Sequence, residues 1–334
     1  MICKNMNQPY GAKNCFNDIY FENAHLSIHF GPVSIMFRLT KTWKNCNHLT
    51  LLYFFRIVHN FEQLLKNDEE DRMTDTIPKR SEIPPEQLSL RSRFQFHCHK
   101  GVKCFTDCCR GIDIMLTPYD ILTMRKKLDM SSDEFLAVFT QPEILEKADL
   151  PVVTLKLLDD ERKSCPFVED KDGCVIYEER PTTCRYYPLG VGALSYSGEK
   201  GEKDEFFFTV KEAHCLGFEE DKKWTVAEWR KDQGVDLRDQ VNDGWMELIV
   251  RKKSLPPSMK LTEEGKRMFF LACYNIDNFR KFVFNSTFLE RYVLPESEIE
   301  DIRKDDIKLL QFGFEWLKAT FFQTGQEKFK VKEK

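Results

Sequence analysis

At 334 residues the chain is long enough for one large domain or two ordinary ones, and a core of that size needs no covalent staples. A net charge of −4 and a sequence pI near 6.1 exclude a global field that would draw the chain toward nucleic acid or anionic lipid. The apolar share, 42%, and the charged share, 31%, are those of a globular protein, and 28 phenylalanines point to an aromatic-rich core.

From the first residue, Met1 to Tyr10 lacks the charged-then-apolar pattern of a secretory signal. No stretch reaches the roughly 18 apolar residues of a membrane span. The most apolar run, Leu51 to Phe55, ends at Arg56. The expected location is the cytoplasm, with no membrane and no nucleic-acid partner. Thiols stay reduced there, so 12 cysteines argue for metal binding or catalysis rather than disulfides. Up to Leu65 the acids are Asp18, Glu22 and Glu62 alone; Asn67-Asp68-Glu69-Glu70-Asp71 is then abruptly acidic, and Met73 follows. Thr74 to Pro85, polar with three prolines, reads as a linker. Residues 1–89 are therefore expected to be an extension and linker. Met73 as the true start is one reading, and an ordinary small extension is the other.

Residues 90–220 hold eight of the 12 cysteines. Thr117 is placed to cap a helix with Pro118 at its first position and Asp120 in its first turn, running to about Leu128. Ser131 and Glu134 form a capping-box pattern for a second helix through Phe135, Leu136 and Phe139. Val152 to Leu158 reads as a strand, Cys165 and Cys174 flank a hairpin around Glu169–Gly173, and Phe206 to Val210 is a further strand. From Trp224 the pattern turns helical. Thr225 to Glu228 is a capping box with Gly234 as stop, followed by helices over 237–250, 262–274 and 297–322. On the last of these, Ile302, Ile307, Leu310, Phe312, Phe314 and Leu317 form a largely apolar face, a core stripe rather than a cofactor box. The expected fold is α+β: a small cysteine-cluster domain of short strands and helices over 90–220, then a mainly helical part over 221–334. Arg251-Lys252-Lys253 and the lysines after Gln326 read as solvated surface.

Cys98, Cys104, Cys108 and Cys109 fall within 12 residues, and Cys165, Cys174, Cys184 and Cys215 form a second group. Soft divalent metals and iron–sulfur clusters take thiolates from short loops and hairpin ends. Cys104 and Cys108, four apart, would share a face of a helix, and Cys165 and Cys174 would lie close across the hairpin, so the groups can converge. Adjacent side chains diverge, so Cys108 and Cys109 do not both ligate one ion with relaxed geometry. Eight thiols fit two four-thiolate sites, or one site with structural cysteines. Arg93, Lys100, Lys103, Arg110, Arg180 and Arg185 are placed to lower thiol pKa and offset thiolate charge. Arg185 is expected over the centre or on a buried carboxylate. His97, His99 and His214 are possible substitutes for a thiolate. Cys3, Cys15, Cys46 and Cys273 are isolated and read as packing residues.

The Cys108-Cys109 pair, then Cys165-Pro-Phe, then the run from Gly173 through Cys174, Arg180-Pro181 and Cys184-Arg185 to Tyr187-Pro188 resembles the YkgJ-type cysteine-cluster family. That family is described as zinc- or iron-chelating, and most members have no assigned activity. The resemblance covers about residues 94–190 and implicates Cys104, Cys108, Cys109, Cys165, Cys174 and Cys184. The family spacing is Cys-x2-Cys-x2-Cys-Cys, whereas here five residues separate Cys98 from Cys104 and three separate Cys104 from Cys108. Flagellin lysine N-methylases, which carry an iron–sulfur cluster and use S-adenosylmethionine, look like distant relatives.

The leading expectation is a metalloprotein holding an iron–sulfur cluster or zinc through these eight cysteines. Adjacent cysteines and more than four thiols suit a cluster better than one tetrahedral ion. A protein-modifying methyltransferase and a metal-handling or redox-sensing protein are the alternatives. No Gly-rich nucleotide loop follows a strand, and no His-Glu-x-x-His or Ser/His/Asp pattern supports hydrolysis. The Cys-x3-Cys-x2-Cys spacing of radical S-adenosylmethionine chemistry is also missing.

Overall fold

The computed structural model describes residues 25–30, 33–38, 86–197, 202–256 and 258–332. The chain divides into two units, Met1–Pro78 and Lys79–Lys334. In the first, His25–Phe30 (β1) pairs antiparallel with Val33–Arg38 (β2). Met73, the expected linker from Thr74 to Pro85, and Cys3, Cys15 and Cys46 lie outside the described residues.

The second unit opens with a short strand, Arg93–Gln95 (β3), which leads into the cysteine segment and its 3-10 turn at Asp107–Cys109. Met115–Leu116 (β4), Pro118–Lys127 (α1) and Ser132–Phe139 (α2) follow. Both helices begin where the sequence writes a reciprocal cap. The Thr117 and Ser131 hydroxyls accept the N–H groups of Asp120 and Glu134, whose carboxylates accept the N–H groups of the caps. Thr140–Leu145 (β5) and Leu150–Leu155 (β6) complete a three-stranded sheet in the order β4-β6-β5. Pro142 sits in β5, an edge strand, where a missing N–H costs the sheet little.

Val168–Glu169 (β7) and Gly173–Cys174 (β8) form the expected hairpin. Thr182–Tyr186 (α3) follows, then the long antiparallel pair Leu189–Ser197 (β9) and Glu202–Thr209 (β10). Lys223–Thr225 (β11) returns to β3 and sets Trp224 opposite Phe94. The remainder is helical: Val226–Gln233 (α4), Asp236–Lys253 (α5), Glu263–Tyr274 (α6), Ile276–Asn285 (α7), Phe288–Arg291 (α8), Glu296–Lys304 (α9) and Asp306–Phe322 (α10). The fold is α+β, with short strands and helices over 93–225 and helices beyond.

Two departures from expectation have physical causes. The single helix expected over 297–322 is two, because Asp305 leaves the helical region (φ −116°, ψ 117°). Its carboxylate caps α10 by accepting Ile307 N–H at 2.7 Å and Lys308 N–H at 3.2 Å. The strand expected over 152–158 is shifted to 150–155. Among the described residues, no helix is long and apolar enough to cross a membrane.

The aromatic residues supply the core on both sides of α4. Phe94, Phe96, Tyr186, Phe207 and Trp229 bury together beside the cysteine segment, Phe94 and Phe96 meeting the Trp229 ring edge-on at 5.9 and 5.6 Å. Trp245, Phe269, Phe279 and Phe314 are fully buried among the later helices.

Candidate metal centre

The thiols are set by two separate pieces of backbone. On one side, Phe96 N–H donates to the Lys222 carbonyl and His97 N–H to the Gly217 carbonyl, each at 2.9 Å. These bonds prolong the β3–β11 pairing and lay Cys98 beside the turn that follows Cys215. Only glycine fits at 217: a Cβ there would lie 2.7 Å from the Phe96 ring and 3.2 Å from the His97 carbonyl. Leu216 N–H donates to the Cys104 sulfur at 3.2 Å, joining the loop to the same turn. Cys98, Cys104, Cys108, Tyr187, His214 and Cys215 thereby line one small cavity of about 30 Å³.

On the other side, Cys165 N–H donates to the Cys109 carbonyl at 2.8 Å, and Arg110 bridges to Ser164. The β7–β8 hairpin places Val168 opposite Cys174, and Phe167 N–H reaches the Cys165 sulfur at 3.5 Å. Gly173 turns the hairpin at φ +85°, where a Cβ would also press the Phe105 ring at 2.9 Å. Cys184 rides on α3, whose first residue is fixed by Asp120. One carboxylate oxygen accepts Thr182 N–H at 2.9 Å, the Thr182 hydroxyl at 2.7 Å and the Arg238 guanidinium at 2.7 Å. Asp120 is fully buried and Arg238 nearly so.

Burial and mutual repulsion push five of these thiols toward the protonated form in the absence of a cation. Desolvation, then Cys108, Cys104 and Cys215, push the Cys98 thiol up to about 11. Desolvation, then Cys174 and Cys108, push Cys165 up to about 12 despite the Phe167 N–H. Cys174 and Cys184 are raised chiefly by desolvation, and Cys108 chiefly by its hydrogen bond to Cys109. The lowering expected from the flanking cations is not realised at these five thiols. Arg180 does pull on Cys174, but desolvation outweighs it. Arg185 does not cover the thiols or pair with a carboxylate through a hydrogen bond. It donates to the backbone carbonyls of Gln233, at 2.7 Å, and Glu178.

The donor set fits a sulfur-rich anionic group. Among the described residues, Arg110 Nε and Arg185 Nε, on the residues that follow Cys109 and Cys184 in the chain, are buried without a hydrogen-bond partner. Tyr187 is pushed far up by burial and by its hydrogen bond with the neighbouring Cys215 thiol. A buried donor without an acceptor is costly unless an anion completes it.

The sequence reading missed the parts of the site that arrive from afar. Glu220 joins His97 and His99 in a group whose ligand atoms lie within 4.8 Å of one another. Two of the three already partner each other: Gly101 N–H donates to His99 Nδ1 at 3.1 Å, so the neutral ring's proton is on Nε2, 3.3 Å from Glu220. Tyr187 was legible as part of the Cys184-Arg-Tyr-Tyr-Pro run, but its position against Cys215 was not. Cys273 is buried alone among the later helices, 1% exposed.

No curated protein and no solved structure matches the chain, and the likeness to flagellin methylases gains no support from these comparisons. Residues 97–216, just over a third of the chain, match the model of the family CxxCxxCC, described as "putative zinc- or iron-chelating domain"; in this segment the chain is similar to the YkgJ-type cysteine-cluster proteins, and its cofactor class is zinc or iron.

Proposed function

We propose that the clustered thiols of this chain hold iron–sulfur rather than lone zinc. The spacing of the sulfurs carries this reading. Among the described residues, which include all eight clustered cysteines, no three thiol sulfurs lie within 4.8 Å of one another. A tetrahedral zinc with bonds of about 2.3 Å needs its sulfurs only about 3.8 Å apart. An iron–sulfur cluster interposes its own sulfides and holds its thiolates farther apart.

The small cavity argues the other way, and the cost of adjustment decides. Enlarging the cavity means moving Cys98, which is exposed. Contracting the thiols onto zinc means drawing in Cys165 and Cys184, which the Cys109 carbonyl and Asp120 anchor. When bound, the group supplies one-electron redox chemistry. The chain's own part is to hold the group with these thiols and to offer the Tyr187 hydroxyl, which lies against Cys215, as a donor. Exposure of Cys98 gives oxidants and chelators a way in, which favours a redox-sensing or metal-handling use over a purely structural one.

The test is a visible spectrum with iron, sulfide and zinc analysis of the full chain purified without oxygen. Brown protein with iron and acid-labile sulfide, bleaching in air, is the expected result. Colourless protein with stoichiometric zinc would replace iron–sulfur by zinc, and metal-free folded protein would overturn metal binding altogether.

A further inference from the structure

We propose that His97, His99 and Glu220 form a metal site of their own for a borderline divalent cation such as zinc or iron(II), whatever the thiols hold. Two imidazoles and one carboxylate suit such a cation, and three protein ligands leave it open positions for water or a further ligand. The backbone that places Cys98 also sets this site, on its other face. Where the chain runs on from β3, Phe96 and Cys98 line the thiol cavity while His97 and His99 do not, the alternation of a strand. The two imidazole rings lie side by side, with centroids 4.7 Å apart. Glu220 arrives from the chain paired opposite, held by the bonds from Phe96 N–H to the Lys222 carbonyl and from His97 N–H to the Gly217 carbonyl.

The separations suit a metal of this kind. Nitrogen and oxygen donors bound at about 2.0–2.2 Å stand roughly 3.0–3.5 Å apart. His99 Nε2 and Glu220 Oε2 already stand 3.3 Å apart, and one ligand atom from each of the three lies within 4.8 Å of the others. The half-buried His97 ring makes no hydrogen bond among the described residues, so a side-chain rotation closes the remaining distance. Nor does the Glu220 carboxylate pair with a lysine or arginine among the described residues. Lys222, two residues on, lies over the Trp224 ring instead, at 4.0 Å. A cation bound here therefore meets a carboxylate that no basic side chain neutralises. Binding at His99 Nε2 moves the ring proton to Nδ1 and breaks the bond from Gly101 N–H. Lys100 and Gly101 form an exposed turn, which can swing that N–H to solvent.

The test is an anaerobic cobalt(II) titration of the full chain with its resident metal in place, read by bound cobalt after dialysis and by the visible spectrum. One equivalent with the weak bands of nitrogen and oxygen ligation is expected. Cobalt that exchanges into the thiols shows intense thiolate charge transfer and is not counted. H97A, H99A and E220Q should each lose that equivalent while keeping the resident metal. The His99 and Glu220 side chains are 40% and 39% exposed, so H99A and E220Q leave the core intact. No cobalt of this type in the parent protein, or the same uptake in all three variants, overturns the site. Loss of the resident metal from folded H97A or H99A also overturns it, by making the histidines ligands of the thiol centre. Iron and sulfide analysis of the same samples decides the reading of the thiols separately.

Discussion

A cysteine thiol that loses part of its hydration keeps its proton unless something nearby supplies positive charge, and five of the clustered thiols here are shifted that way, the exposed Cys98 with the help of the neighbouring Cys108, Cys104 and Cys215. Their pKa values are raised above the ordinary value near 9, to about 11 at Cys98 and about 12 at Cys165. In the metal-free, reduced chain the folded form therefore binds more protons than the unfolded form once pH exceeds 9. The sign follows: this contribution to stability is fully present below pH 9 and is lost as pH rises through 11 and 12. We expect the urea midpoint of the metal-free protein to fall steadily above pH 9. The metal-loaded protein, whose thiolates have already given up their protons, should fall less; equal slopes would mean that the thiols do not set the effect. The eight cysteines were legible in the sequence because thiolate chemistry is written in residue type and spacing. Glu220 and the Tyr187–Cys215 contact were not, because each depends on chain folding back over a long sequence separation.

At the scale of elements, local chemistry predicted boundaries well where a side chain closes on its own backbone. The caps at Thr117, Ser131 and Thr225 and the stop at Gly234, which sits at φ +62°, each act within four residues of where they are written. The apolar stripe of the last helices carried the reading straight through Asp305, because burial of Ile302, Leu310, Phe314 and Leu317 keeps one periodicity on both sides of the break. Asp305 ends it by making two bonds to the start of α10 that a continuous helix would not need. The strand β9 escaped notice because Leu189–Ser197 mixes small residues with its apolar ones and gains its order from pairing with β10. Asp305→Ala should lower stability by about 1 kcal/mol, the usual worth of an N-cap, read as a shift in the urea midpoint. Metal content should not change, since the cap lies among the later helices. An unchanged midpoint would show that packing alone sets the break.

At the scale of the molecule, the cysteine region and the helices belong to one unit, Lys79–Lys334, and Asp120 is the joint between them. It stands in the first turn of α1, fixes the start of α3 two residues before Cys184, and pairs with Arg238 on α5. Hydrophobic packing could hold these helices together in several registers, whereas a buried carboxylate with three donors on one oxygen permits few. Such a pair adds little net stability over an apolar contact, but breaking it on one side strands a buried charge. Asp120→Ala leaves the Arg238 guanidinium, 5% exposed, without its carboxylate and the Thr182 N–H without its acceptor. The expected cost is about 3–5 kcal/mol in urea unfolding. Metal retention should fall with it, because α3 carries Cys184. The double variant D120A/R238A separates the two parts of the effect. It removes the stranded charge, so stability should recover relative to D120A, while Thr182 stays unanchored and metal retention stays low. If the double variant instead regained full metal content, Asp120 would be acting only through the charge of Arg238, and α3 would not need it for placement.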